Sequence, residues 1–357
     1  MKILLITSEY PPIVGGVSSY LEQLYSNLDH EVTIIAPPAF NFQVNWMWPR
    51  WLPLYFQIKE FIKTNKPDQI HISHVLPMGQ IAYWILKQYK IPYVIIFHGL
   101  DLITAAAQPK KWMRVEKIVA HASALIVNSN ATGDLLKKLL PHAHKPIVIR
   151  PGVQIRSIAP RAIEEFRSAQ NLTGHRIILF LARLVPRKGV VVAVEAFYEI
   201  VRQNVEATLI IAGDGPERVP AEAAAARLGI SDRIRFVGPV CETDKYLWYA
   251  VAHVFWFPAQ PTENDWEGFG MTALEAQSFS CPVVVSNCGG LPETLMPDIT
   301  GFVAEGTPQA FAEATLRTLN DASCWQRMRM AARTFAASQD WSTPRKILSG
   351  LIQSVKK

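Results

Sequence analysis

Short apolar runs alternate with helix-length stretches along this chain, and the alternation is played out twice. The first series of runs is Lys2–Thr7, Glu31–Ala36, Gln69–Ser73, Tyr93–Phe97, Ala124–Asn128 and Ile147–Arg150. The second is Arg176–Leu181, Thr208–Ala212, Arg235–Val237, Val251–Phe257, Pro282–Ser286 and Gly301–Ala304. Runs of Val, Ile and Leu without polar alternation suit strands buried on both faces, which means parallel sheet, and parallel strands need helices between them. Each series therefore predicts a doubly wound α/β sheet. Between them Arg150–Gly174, with Pro151-Gly152 and Pro160, lacks a strand and reads as an interdomain linker. At 357 residues the chain exceeds the ~250–300 over which one core usually grows, so two domains are expected.

In an open parallel sheet, ligands bind in the crevice at the carboxyl ends of the strands, so the segments that follow the runs are the candidates. The most informative is Pro258-Ala-Gln-Pro-Thr-Glu-Asn-Asp-Trp-Glu267-Gly-Phe-Gly270-Met-Thr-Ala-Leu-Glu275, which leaves an apolar run and enters a helix beginning at Met271. Gly268 and Gly270 allow close backbone approach, and the first helical amides lack internal partners and can point at an anion such as a diphosphate. Glu275 lies about one turn into that helix, where a carboxylate can take paired hydroxyls such as those of ribose; Glu267 lies in the loop. As lone residues both would pass for ordinary exposed acids, Glu275 favoured by the helix dipole; the clustering argues otherwise. Arg183-Leu-Val-Pro-Arg-Lys188-Gly follows another run, and its Arg fork and Lys point charge suit a diphosphate. Gly213-Asp-Gly215-Pro lacks the third glycine of a dinucleotide fingerprint. Gly15-Gly16, between the first run and a helix, is expected to use positive φ beside a phosphate, with a plain strand–helix turn as the equal alternative. His98-Gly99 closes a run and is set apart from His30, His121, His142 and His144, which read as surface residues.

Composition narrows the class. With 49% hydrophobic and 18% charged residues the chain is that of a folded globular enzyme. Its four cysteines show no C-x-x-C spacing and read as reduced thiols, which disfavours a zinc site or a disulfide framework. The first apolar run is too short for a leader and no window approaches a membrane span, so a cytoplasmic protein is expected. Residues 1–172 hold 18 Lys+Arg against 11 Asp+Glu, an excess of +7 that exceeds the +6 of the whole chain. A basic half without a nucleic-acid-binding signature points to an anionic membrane surface rather than nucleic acid. The aromatic segment from Phe40 to Phe61, with Phe42, Trp46, Trp48, Trp51, Tyr55 and Phe56 around Arg50 and Lys59, Lys63 and Lys66 behind, suits either a membrane interface or a loop folded on its own core.

Taken in order, Gly15-Gly16, His98-Gly99, Arg183 to Lys188, Gly213-Asp-Gly-Pro and Glu267-Gly-Phe-Gly-x(4)-Glu275 make the chain resemble the retaining glycosyltransferases of family 4 over nearly its full length. The resemblance implies a GT-B architecture: two Rossmann-like domains facing a cleft, residues 1–165 binding acceptor and 173–337 binding nucleotide sugar, with a last helix over 338–357 crossing back to the first domain. It implies that Arg183 and Lys188 neutralise the donor diphosphate, that Glu275 takes the ribose and Glu267 the sugar hydroxyls, and that His98 stands near the transferred sugar. Gly15, Gly16, Gly213, Gly215, Gly268, Phe269, Gly270 and Met271 complete the donor contacts. It further implies a hexosyltransferase that acts from a UDP- or GDP-linked sugar on a lipid-linked saccharide or phospholipid in bacterial-type envelope or exopolysaccharide synthesis, without a metal or other cofactor. No Asp-x-Asp occurs in the chain. The polar insertion Gln260–Trp266 departs from the simpler family pattern and is expected to line the sugar or acceptor pocket. The alternatives are a nucleotide-sugar-binding protein without transferase activity and a transferase acting on a soluble small molecule. A two-domain dehydrogenase needs a full glycine fingerprint followed by an acid, which neither glycine loop supplies.

Overall fold

A computed structural model describes residues 1–40, 49–263 and 265–355. The chain forms two compact units. The first comprises Met1–Gly152 with Asn264–Gly268 and Trp341–Lys357, the second Val153–Glu263 with Phe269–Asp340.

In the first unit β1 (Lys2–Ile6), β2 (Glu31–Ile35), β3 (Gln69–Ser73), β4 (Tyr93–Phe97), β5 (Ala124–Val127) and β6 (Ile147–Val148) form one sheet in the order β2-β1-β3-β4-β5-β6. All its pairings are parallel. One face buries Leu4, Ile6, Ile70, Ile72, Ile95 and Phe97 in a cluster with helix residues such as Leu54, Ile58 and Ile81. In the second unit β7 (Arg176–Leu181), β8 (Ala207–Ala212), β9 (Ile234–Gly238), β10 (Val254–Phe257), β11 (Val283–Ser286) and β12 (Gly301–Ala304) take the order β12-β11-β10-β7-β8-β9, again parallel throughout. The apolar runs are strands for the reason the sequence suggests: their residues are buried on both faces.

Beyond shifts of one or two residues at strand ends, three boundaries differ from the expectation. Val251, expected in a strand, closes the helix Glu242–Val251, because an unbroken apolar run does not separate a buried helical turn from a strand. The expected linker holds the helix Pro160–Ala169, whose Phe166 meets Trp248 edge-on at 4.9 Å; its apolar residues are too widely spaced to look like a run. Ser338 ends the long helix Ala322–Ser338, and the last helix is Ser342–Ser354.

That last helix belongs to the first unit and is held by specific contacts. Trp341 packs on Tyr20 at 6.0 Å, and Arg345 donates to the Gln23 carbonyl at 2.9 Å and to Ser26 Oγ at 3.0 Å. Gln69 Nε2, buried at the start of β3, donates to the carbonyls of Ile352 and Val355 at 2.6 and 2.7 Å. His30, expected on the surface, instead sits 3.2 Å from Ser349 Oγ. The aromatic segment is partly internal: Trp51 and Tyr55 both pack on Trp84, at 5.2 and 5.3 Å, while Phe56 is exposed. Phe42, Trp46 and Trp48 lie outside the described residues.

Candidate active site

The strand orders fix where each unit can bind. In the second unit the chain runs β7-β8-β9 to one edge and then returns to lay β10 on the other side of β7. The order of the sheet therefore reverses between β7 and β10, and it is at such a reversal that sheets of this kind hold ligands. The connections after these two strands span residues 182–189 and 258–270. They are tied together: the Gln260 amide donates to the Arg187 carbonyl at 2.7 Å, and the Lys188 ammonium lies 4.5 Å from the Phe257 ring centre. Arg183 is exposed and Lys188 half-buried, both in the short stretch between β7 and the helix Val190–Val201. Arg187 between them is buried, so the loop's middle cation is packed inward.

Gly213 and Gly215 follow β8 at φ +128° and +152°. A Cβ on Gly213 would lie 1.9 Å from the Ala182 carbonyl oxygen, so this glycine is required by the close approach of the loops after β7 and β8. At the end of the β10 connection Gly270 opens the helix Met271–Ser278. The Phe269 side chain is buried with Val153, Leu274 and Ala336, which leaves the backbone as what the turn presents. Glu275 is held from behind in a way that the sequence did not reveal. Its Oε2 accepts from Tyr249 Oη at 3.0 Å and pairs with Lys245 Nζ at 3.2 Å, both on the helix Glu242–Val251. Its Oε1 has no partner among the described residues.

In the first unit the reversal falls between β1 and β3. The last residue of β3 and the segments that follow β1, β3 and the neighbouring β4 bring Glu9, Ser73, His74, His98 and Asp101 together. His98 Nε2 is 2.9 Å from Ser73 Oγ, and the ring meets Tyr20 edge-on at 5.9 Å. Burial, and then the charge of His74, hold the His98 imidazole well below the ordinary histidine range, so it is neutral at pH 7. Burial also pulls His74 down, but its bond to Glu9 and the charges of Asp101 and Glu9 outweigh this and raise it. Asp101 is raised by burial, against the charge of His74 and the three backbone amides, of Val75, His98 and Gly99, that it accepts. Glu9, His74 and Asp101 were not singled out from sequence; the one signal was their position just after apolar runs.

Two glycine expectations change here. Neither Gly15 nor Gly16 lies at positive φ: Gly15 is extended at φ 171°, and Gly16 begins the helix Gly16–Tyr25. The loop turns through Pro11 and Pro12 before it reaches them, so the glycines need no special backbone state. Gly268, by contrast, is needed for close packing, since a Cβ there would lie 2.7 Å from the His98 carbonyl oxygen. Glu267 is buried rather than solvated. Beside it Trp266, from the polar insertion, lays its indole over Gly99 and donates to Thr132 Oγ1 at 3.2 Å. No cluster of metal-ligating side chains occurs among the described residues.

Two parallel six-stranded units of this kind, the first completed by the C-terminal helix, are the GT-B fold of glycosyltransferases. The chain is similar to the structure of HepE from Anabaena in complex with UDP-glucose, with a TM-score of 0.82 at 20% identity over 99% of this chain and 100% of that one. Residues 14–157 match the model described as Glycosyltransferase Family 4 and residues 162–335 the model described as Glycosyl transferases group 1, together nearly the whole chain. The protein belongs to glycosyltransferase family 4. Among curated relatives it is 25% identical, over 99% of its length and 98% of the relative, to the GDP-mannose-dependent monoacylated alpha-(1-6)-phosphatidylinositol monomannoside mannosyltransferase of Corynebacterium glutamicum. It is 28% identical to the D-inositol 3-phosphate glycosyltransferase of Salinispora arenicola, over 80% of this chain and 68% of that relative.

Proposed function

We propose that the protein transfers a hexose, with GDP-mannose the first donor to test, to a phospholipid or lipid-linked saccharide in bacterial-type envelope or exopolysaccharide synthesis. The observation that carries the donor side is the β7–β10 reversal, which gathers Arg183, Lys188 and the helix start at Gly270-Met271 on one sheet edge. Departure of the nucleoside diphosphate develops phosphate charge, and two cations with preorganised amides stabilise it in place of a metal ion. Gly213, Gly215 and the backbone of Phe269 shape that binding edge. Glu267 takes sugar hydroxyls and His98 stands beside the transferred sugar. Retention follows from attack on the face the phosphate leaves, the phosphate taking the acceptor proton, so no glutamate nucleophile is assigned.

Glu275 is assigned to the ribose. Lys245 and Tyr249 fix one carboxylate oxygen and leave the other to accept a hydroxyl. Glu275→Gln should therefore weaken the ribonucleotide by about tenfold, as a lost charge-assisted bond of ~1.5 kcal/mol implies, and the 2′-deoxy analogue much less. Equal losses by calorimetry would leave Glu275 a structural acid.

The phospholipid acceptor is supported by the relatives that act on phosphatidylinositol mannosides and by the basic first unit. Trp51 packs inward, so the described membrane-facing candidates shift to the helix Pro109–Ala120, which exposes Lys110, Lys111, Arg114, Lys117 and Met113. No helix among the described residues is long and apolar enough to span a bilayer, and attachment through these cations would be peripheral. Each cation near an anionic leaflet is worth about 1 kcal/mol and fades over a Debye length.

The test offers GDP-mannose or UDP-glucose with a phosphatidylinositol monomannoside in vesicles, or with free inositol phosphate. Mannosyl transfer to the vesicle lipid is expected, undiminished in EDTA, faster with anionic lipid and slower in high salt. Transfer to inositol phosphate alone would establish the second reading, a soluble acceptor, which the Salinispora relative favours.

A further inference from the structure

Ser73 Oγ lies between two imidazoles, 3.3 Å from His74 Nδ1 and 2.9 Å from His98 Nε2. The two rings are 5.1 Å apart centre to centre. On its far side His74 Nε2 is 3.3 Å from Glu9 Oε1. His74 holds this position at φ +73°, a left-handed backbone that a residue other than glycine adopts only where its surroundings impose it. Among the described residues His98 Nδ1 has no hydrogen-bond partner, so the ring is anchored by Nε2 and has Nδ1 to offer to a ligand.

A hydroxyl has one proton, and that decides the rest. When His74 carries two ring protons, its Nδ1–H donates to Ser73 Oγ. The Ser73 proton is then directed at His98 Nε2, which must be bare, and the single proton of the neutral His98 sits on Nδ1. When His74 loses a proton it keeps the one on Nε2, which faces Glu9, and its Nδ1 becomes an acceptor. Ser73 then donates to His74, His98 Nε2 must donate to Ser73, and His98 Nδ1 is left bare. No net proton is gained or lost at His98; its proton is on one nitrogen in the first state and on the other in the second.

We propose that His74 is a positioning residue of the transfer reaction: acting through Ser73, it selects the tautomer of His98 and thereby decides whether Nδ1 meets the sugar as donor or acceptor. The proposal rests on the reading of His98 as the residue beside the transferred sugar. The donor tautomer is the productive one, because an N–H at Nδ1 can bind a sugar oxygen while the ring stays uncharged. The charged and titratable groups facing His74 are Glu9 from the β1 connection, Asp101 from the helix after β4, and His98 itself. The two carboxylates raise His74 above its ordinary value, so its charged form persists below that raised value and is lost as pH rises through it.

The experiment has two arms on the full chain. In the ligand-free protein, nitrogen-15 NMR of the histidine rings follows the His98 tautomer across pH. The proton is expected on Nδ1 below the His74 titration and on Nε2 above it, with Ser73→Ala uncoupling the two events. In turnover, kcat/KM is expected to fall tenfold per pH unit above the His74 titration in the wild type, and His74→Gln is expected to be slower at the optimum but to lack that alkaline limb. A His98 tautomer that ignores the titration of His74, or a limb that persists in His74→Gln, overturns the proposal. His98→Ala separates the two ideas: if it leaves transfer intact, the assignment of His98 to the sugar fails, while the NMR arm still decides the relay.

Discussion

Lys188→Ala and Arg183→Ala are each expected to cut affinity for the nucleoside diphosphate by about 10- to 150-fold, the equivalent of the roughly 1.5–3 kcal/mol carried by a hydrogen bond to a charged group. Turnover should fall by at least as much, because the charge these side chains meet grows as the diphosphate departs. The two variants should differ in stability. Arg183 is exposed, so its loss leaves the fold untouched, whereas Lys188 lies over the Phe257 ring and its removal costs a further ~0.5–1 kcal/mol. Lys188→Arg should recover only part of the lost function, because a forked guanidinium does not reproduce a compact point charge. Calorimetric titration with UDP and GDP reads the affinity; unchanged binding in both alanine variants would remove the diphosphate from this loop.

Gly213→Ala should produce a large loss of stability. At φ +128° a methyl group is strained, and it would lie 1.9 Å from the Ala182 carbonyl oxygen, a backbone atom with no rotamer through which to retreat. Backbone strain of about 1–3 kcal/mol and a comparable overpacking cost together lower the second unit's melting transition by on the order of 10 °C. Gly229→Ala is a comparison without the contact, since its φ of +69° lies in the milder left-handed region that other residues reach and a Cβ there meets nothing within 4 Å. It should show only its own, milder strain. Equal losses at the two positions would mean that the loops after β7 and β8 are able to separate, and that the contact does not shape the binding edge.

What was legible in the sequence follows from which interactions are local. A parallel strand is buried on both faces, so its apolar run marks it without reference to its neighbours: Gln69–Ser73, Tyr93–Phe97, Arg176–Leu181 and Gly301–Ala304 are strands with the limits that their composition implies. The connections at their carboxyl ends are marked in the same way, by Gly, Pro and charge breaking an apolar run. Arg183, Lys188, His98 and Glu275 therefore stand out as candidates from the order of residues alone. Helix ends were less certain, because Val251 and Ser338 sit where apolar or small residues suit two states equally.

Tertiary structure alone decided the rest, because those facts join residues that no period links. The strand order places β1 beside β3 and β7 beside β10, and only that order puts a reversal, the place where such sheets hold ligands, at the connections after them. It brings Glu9, Ser73 and His98 onto one edge from three separate strands, and sets Lys245 and Tyr249 behind Glu275 from a neighbouring helix. It turns Trp51 onto Trp84, where composition left the membrane and the core equally open. An apolar run states that a segment is buried; what lies against it depends on how the sheet is wound, and the energy that selects the winding is spread over contacts far apart in the chain.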